Sequence, residues 1–113
     1  MFDTYKVDRA DLWAAMDAAG VVSAVVEFSG GNDEGGTDRV ELDGKECTDY
    51  KSPLCALLAR LPHERYYSFA GDYEVHGRIM VDRAAMTVMM EGQESATTWD
   101  GTLTWPHSFE TEL

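Results

Sequence analysis

From Tyr73 to Val81 the chain alternates: Tyr73, Val75, Gly77, Ile79 and Val81 are apolar or glycine, while Glu74, His76 and Arg78 between them are polar. Successive side chains of an extended chain point to opposite sides, so this period of two marks a strand buried on one face only. A half-buried strand needs paired neighbours and a covering layer. Met86-Thr87-Val88-Met89-Met90-Glu91 reads as a returning strand after a short turn at Asp82-Arg83-Ala84, and Ala96 to Trp105 as a further one. Asp100-Gly101 inside that last run reads either as a tight turn or as part of the strand; the continuous strand is adopted. Pro106 closes it, and the tail to Leu113 is expected to fray.

The N-terminal half supplies the cover. Asp8 can cap a helix over residues 9–19, where Ala10, Leu12, Trp13, Met16 and Ala19 recur at helical spacing and Gly20 suits the C-terminal cap. Val21 to Phe28 is short and β-branched, with Val22, Ala24, Val26 and Phe28 expected inward and Ser23 and Glu27 outward. Ser29 to Gly36 holds four glycines in eight residues and reads as a loop. Arg39 to Leu42 is a second strand ending at the turn-forming pair Asp43-Gly44, so residues 21–29 and 37–43 form a hairpin with a wide acidic tip. Ser52 and Pro53 open a second helix through Leu54, Cys55, Leu57, Leu58 and Leu61, closed by Pro62, with a possible return to helix at Arg65-Tyr66-Tyr67. The order is α-β-β-α-β-β-β. The expected class is α+β, an antiparallel sheet of about five strands with two helices on one face. A single domain spans residues 1–113, with an ordered core of about 8–105.

Twenty-one Asp and Glu against nine Lys and Arg give a net charge of -12. A domain so acidic repels nucleic acid and anionic membrane surfaces and is steered towards basic partners. The blander reading is that the charge serves solubility alone. The carboxylates cluster. Glu27 to Asp49 holds eight of them against Arg39 and Lys45, and Ala84 to Leu113 holds five with no Lys or Arg. Brought onto one face, these stretches would imitate part of the phosphate track of DNA, which carries one charge per roughly 1.7 Å of axis. The partner-binding set expected on this basis is Asp33, Glu34, Asp38, Glu41, Asp43, Glu91, Glu94 and Asp100, with Trp99 as an aromatic anchor.

Other chemistry finds little footing. Asn32-Asp33-Glu34 and Asp38 lack the ligand order of a calcium loop, and the glycines are followed by neither Lys-Ser/Thr nor a helix, so no phosphate cradle forms. Neither metal nor cofactor is expected. His63, His76 and His107 lie far apart with no companion at ligand spacing, and His76 falls on the polar side of its strand. Cys47 and Cys55 match no zinc spacing. They are expected as two free thiols in a reducing cytoplasm, with Cys55 in the core. Paired with a histidine, either could serve as a nucleophile, but no nucleophile–base motif is visible and no enzyme is expected. Met1 to Tyr5 has neither the basic nor the apolar region of a secretory leader, and no apolar run approaches the ~20 residues that span a bilayer. Trp99, Leu103 and Trp105 fall on one side of the last expected strand, and Tyr66 and Tyr67 flank the second helix. Most are expected in the core, one or two at an interface.

Two segments carry a resemblance: Glu27 to Gly36, a strand running into a glycine-rich acidic loop, and Gly71 to Asp82, a Gly-aromatic segment leading into a strand and hairpin. Together, over about residues 10–105, they resemble a family of uncharacterised small acidic proteins of plasmids, phages and prophages. Extra glycines and Glu34 depart from that pattern. The resemblance implies a setting on mobile elements, where acidic proteins of this size include inhibitors of bacterial defence such as anti-CRISPR proteins. The function expected is therefore an inhibitor that occupies a basic nucleic-acid-binding surface, for example on a CRISPR effector, as a DNA mimic. The alternative is a module that homodimerises through an edge strand or its Trp face.

Overall fold

A computed structural model of the chain describes residues 6–69, 73–96 and 107–113. Helix α1 (Arg9–Ala19) is followed by β1 (Ser23–Gly31), β2 (Glu34–Leu42), the two-residue β3 (Lys45–Glu46), α2 (Pro53–Arg60), the short α3 (Pro62–Tyr66), β4 (Tyr73–Asp82), β5 (Thr87–Ala96) and β6 (His107–Glu112). The strands form one antiparallel sheet in the order β3-β2-β1-β4-β5-β6. The fold is the α+β arrangement expected, with a sixth strand and the helices on one face.

Local chemistry sets the helix ends. The Asp8 side chain accepts from the Asp11 N–H at 3.1 Å, and Gly20 turns left-handed at φ 68° to end α1. Ser52 caps α2 by accepting from the Cys55 N–H, with Pro53 in the first turn. Leu12, Trp13 and Met16 from α1 and Leu54, Cys55 and Leu58 from α2 meet the sheet in one core.

Strand register decides what they meet. Val40, Val26, Ile79 and Met90 stand in one row across β2-β1-β4-β5, and Leu42, Ala24, Val81 and Val88 in the next inward row. A third inward row runs Thr37, Phe28, Gly77, Gly92, Phe109. A Cβ at Gly77 or Gly92 would collide with the backbone of the neighbouring strand, so this pair lets β4 and β5 approach closely. The Tyr66 ring stacks on Phe69 and Tyr73 and lies 6.0 Å from that of Phe28.

Several details differ from expectation. The glycine-rich stretch is not a wide loop. β1 and β2 run through it to a two-residue turn, Asn32-Asp33, both at positive φ (53° and 72°). Its glycines serve Phe69, whose fully buried ring lies where Gly30 and Gly35 would carry side chains, while the Phe69 carbonyl accepts from the Asp33 N–H at 2.9 Å. Val22, expected inward, is 65% exposed, because the inward row begins at Ala24.

Cys47 and Cys55, expected as free thiols, form a disulfide. The Cys47 N–H donates to the Val40 carbonyl at 2.7 Å, which pins the chain leaving β3 beside β2 and within reach of the first turn of α2. The tail expected to fray instead forms β6 beyond Pro106, paired along β5 from Met89 to Glu94. The strand expected over Ala96 to Trp105 lies, apart from Ala96, outside the described residues.

Candidate interaction surface on the open face of the sheet

The strand positions between the inward rows form the face that, among the described residues, no helix covers. One outer row runs Arg39, Glu27, Arg78, Glu91, Glu110 across five strands, and the next Glu41, Val25, Met80, Met89, Glu112. On the other side lie Ser29, His76, Gln93 and Ser108, then Glu34, Gly31, Glu74 and Ser95. Glu46 extends the Glu41 row at the β3 edge.

Asp38 joins this face through a bulge. The β1–β2 register shifts between Glu27 and Phe28, leaving Asp38 without a partner across the ladder. The Ser29 hydroxyl, on the open side, donates to Asp38 Oδ2 at 2.7 Å.

The cations of this face are already engaged. Arg78 Nε pairs with Glu91 at 2.6 Å, and Arg39 pairs with Glu41 at 2.8 Å and more loosely with Glu27 at 3.8 Å. Elsewhere Arg83 clasps Asp17 of α1, and Arg9 holds Glu64 of α3 through two hydrogen bonds of 2.8 and 2.7 Å. The Glu64 side chain is 6% exposed and also accepts from the Val7 N–H at 2.7 Å, which fixes the entry to α1. Arg65 stacks over Phe109 on the helix side. The helix layer thus carries its own cations, while the open face is left with an excess of carboxylates.

A shallow trough of about 870 Å³ crosses this face, lined by Glu27, Asp38, His76, Arg78, Glu91, Gln93, Ser108 and Glu110, with Gly77 and Gly92 among its walls. Carboxylate and polar side chains share its lining with Phe28 and Phe109. Among the described residues, no three His, Cys, Asp or Glu side chains converge in a way that could hold a metal ion.

The expected partner-binding residues divide. Glu34, Asp38, Glu41 and Glu91 share the open face, and Asp33 stands exposed at the adjoining hairpin tip. Asp43 does not join them. It sits in the β2–β3 turn, where Oδ1 accepts from the N–H groups of Val22 and Ser23 at 3.0 and 2.9 Å. Those backbone donors, Ser23 first, hold its carboxyl below the usual range. Glu94 is also turned away, because it shares a register position with inward-facing Val75 and accepts from the Tyr66 hydroxyl at 3.0 Å. Burial, and secondarily the Glu94 charge against the opposing pull of Arg65, pushes the Tyr66 phenol up to about 12. Trp99 and Asp100 lie outside the described residues. Glu74, Glu110 and Glu112 join the face without having been singled out, although alternation along Tyr73–Val81 already placed Glu74 on its polar side.

The remaining sequence candidates also find places. Both cysteine sulfurs are bonded to each other in the core, so neither is a free nucleophile in this state. His76 is exposed on the open face, as its strand position implied. Tyr66 is buried and Tyr67 exposed. Among the described residues no helix is long and apolar enough to cross a membrane.

No protein-family model matches this chain, and neither a curated protein nor a solved structure matches it.

Proposed function

We propose that the protein is a non-enzymatic binding module that lays its open sheet face on a basic, nucleic-acid-binding surface of another protein and so excludes nucleic acid from it. The observation that carries this reading is the segregation of charge. Asp38, Glu74, Glu110 and Glu112 stand on a face that no described helix covers and whose two arginines are already engaged by Glu27, Glu41 and Glu91. A surface of Lys and Arg that normally holds phosphates would release bound anions on meeting such a face, as it does on meeting DNA. The resemblance to small acidic proteins of mobile elements makes a defence effector, such as a CRISPR subunit, the natural target, and the bacterial cytoplasm the place of encounter. In that reducing setting the Cys47–Cys55 bond would open, so the fold must tolerate its loss.

The test is competition. Duplex DNA bound to a CRISPR effector is displaced by the protein at low salt, and displacement weakens steeply as salt rises. Reversing Asp38, Glu74 and Glu110 to lysine weakens binding by about tenfold or more and flattens the salt dependence. Binding that is indifferent to salt and to these reversals would sink the proposal.

A further inference from the structure

Strand β6 closes one side of the sheet, and among the described residues nothing pairs with its outer edge. The Leu113 N–H donates to the Val88 carbonyl at 2.8 Å, which makes that pair a hydrogen-bonded one and sets the phase of the ladder. In an antiparallel pair such positions alternate. Phe109 and Thr111 therefore bond back to β5, while the backbone groups of Ser108, Glu110 and Glu112 point outward. The side chains of these same three residues stand on the acidic open face, in the rows of Gln93, Glu91 and Met89.

We propose that this edge receives an extended segment of the partner as a seventh strand, one that alternates cationic and apolar residues. Residues placed opposite Glu110 and Glu112 would project onto the open face, where charge calls for Lys or Arg. The row Arg39, Glu27, Arg78, Glu91 alternates in sign and then breaks at Glu110. Among the described residues neither Glu110 nor Glu112 enters an ion pair. The cation that would continue the alternation belongs on the next strand. The intervening residues of that strand would face inward beside Phe109, which packs against the core, and so should be apolar. A second copy of this chain fits poorly, since antiparallel pairing about Glu110 sets Glu110 directly beside its own copy and supplies no cation to Glu112, which would meet Ser108.

The choice of a cationic occupant rests on the acidic-face reading above, whereas the edge geometry does not. Three labelled peptides separate the two: alternating Lys-Val nonamers, unmodified, N-methylated at every lysine, or N-methylated at every valine. Methylated lysines lose the amides that would face β6; methylated valines lose only those facing away. The unmodified and valine-methylated peptides should bind alike, and the lysine-methylated one about tenfold or more weaker. Glu110→Pro, which removes an outward N–H and leaves the β5 ladder intact, should abolish that difference while the far-ultraviolet circular dichroism is unchanged. Equal, salt-dependent binding of all three peptides would overturn the seventh strand and leave the acidic face standing. Binding of none at low salt would overturn both. A dimer in sedimentation equilibrium that Glu110→Pro dissociates would give the edge to a second copy and overturn the proposal.

Discussion

On the covered face of the sheet, Val40, Val26, Ile79 and Met90 line up across four strands, each 0% exposed. One residue along each strand, Arg39, Glu27, Arg78 and Glu91 line up in the same way, facing solvent. The backbone is shared, so the difference lies wholly in side-chain chemistry and in what covers it. Covered positions gain from burial, at roughly 25 cal/mol per Å² of apolar surface. Exposed charged pairs contribute little to stability, about 0–1 kcal/mol each. Stability should therefore reside on one face and partner recognition on the other, and substitutions can test that division.

The largest effect is expected at Phe69. Its ring occupies the space that Gly30 and Gly35 leave open in the hairpin, so Phe69→Ala should cost about 3–5 kcal/mol in urea unfolding. A loss below about 1 kcal/mol would mean that the glycine pocket does not anchor the hairpin. Reduction of the Cys47–Cys55 bond comes next. The bond closes a loop between residues eight apart, and its removal should lower stability by about 2–3 kcal/mol if chain entropy dominates. Unfolding midpoints with and without a phosphine reductant measure this directly, and a reduced chain that stays folded is also what a cytoplasmic role requires.

Tyr66 tests the margin of the covered face. Tyr66→Phe removes the hydroxyl that donates to Glu94 and should cost about 1 kcal/mol at neutral pH. The sign of its pH dependence follows from burial. A phenol raised from 10.0 to about 12 keeps its proton longer in the folded chain, so its contribution is intact below pH 10 and drains away between pH 10 and 12. Tyr66→Phe should flatten the fall in urea midpoint over that window. At the acid end the sign is opposite. Asp17, held by hydrogen bonds from Arg83, and Asp43, held by the backbone of Ser23 and Val22, both lie below their ordinary value of 3.8. Their stabilisation is present above that value and lost as pH falls through the lower, folded one. Asp43→Asn should make the low-pH fall in midpoint shallower.

How much of this was legible in the sequence depends on the range of the forces involved. Helix α1 was legible to its ends because Asp8, the apolar spacing and Gly20 act within a few residues of one another. The polar side of β4 was legible for the same reason, since alternation needs no partner. The hairpin tip was not, because its glycines answer to Phe69, more than thirty residues away, and glycine alone cannot distinguish a loop from a ring pressed against a strand. The disulfide and β6 were missed for a related reason: both need a spatial neighbour that local pattern does not supply. In the candidate site, Glu41 and Glu91 were drawn in by the clustering of charge, and the register of their strands does set both on the open face. Asp38 reached the face only through a bulge, and Glu94 left it because β5 runs on past Glu91, the end of its apolar run, and alternation then sets Glu94 opposite inward-facing Val75. Asp43 was drawn in by charge alone, whereas Asp beside Gly in a tight turn more simply serves the backbone N–H groups around it.

The smallest effect on stability is expected where recognition should be most sensitive. Arg78 and Glu91 face each other across β4 and β5 with 58% and 34% of their side chains exposed. Exchanging them, Arg78→Glu with Glu91→Arg, keeps the cross-strand pair and the net charge and should shift the urea midpoint by less than about 0.5 kcal/mol equivalent. The same exchange trades the like-charged contact of Glu91 and Glu110 for one between Glu27 and the new glutamate at position 78, so that a cation of this chain rather than of a partner stands beside Glu110. Affinity for a basic partner should then drop while its stability does not. If both stay unchanged, the pattern of charge along the row is irrelevant and only its total matters. If stability falls instead, the open face is holding the sheet together, and the division of labour between the two faces is wrong.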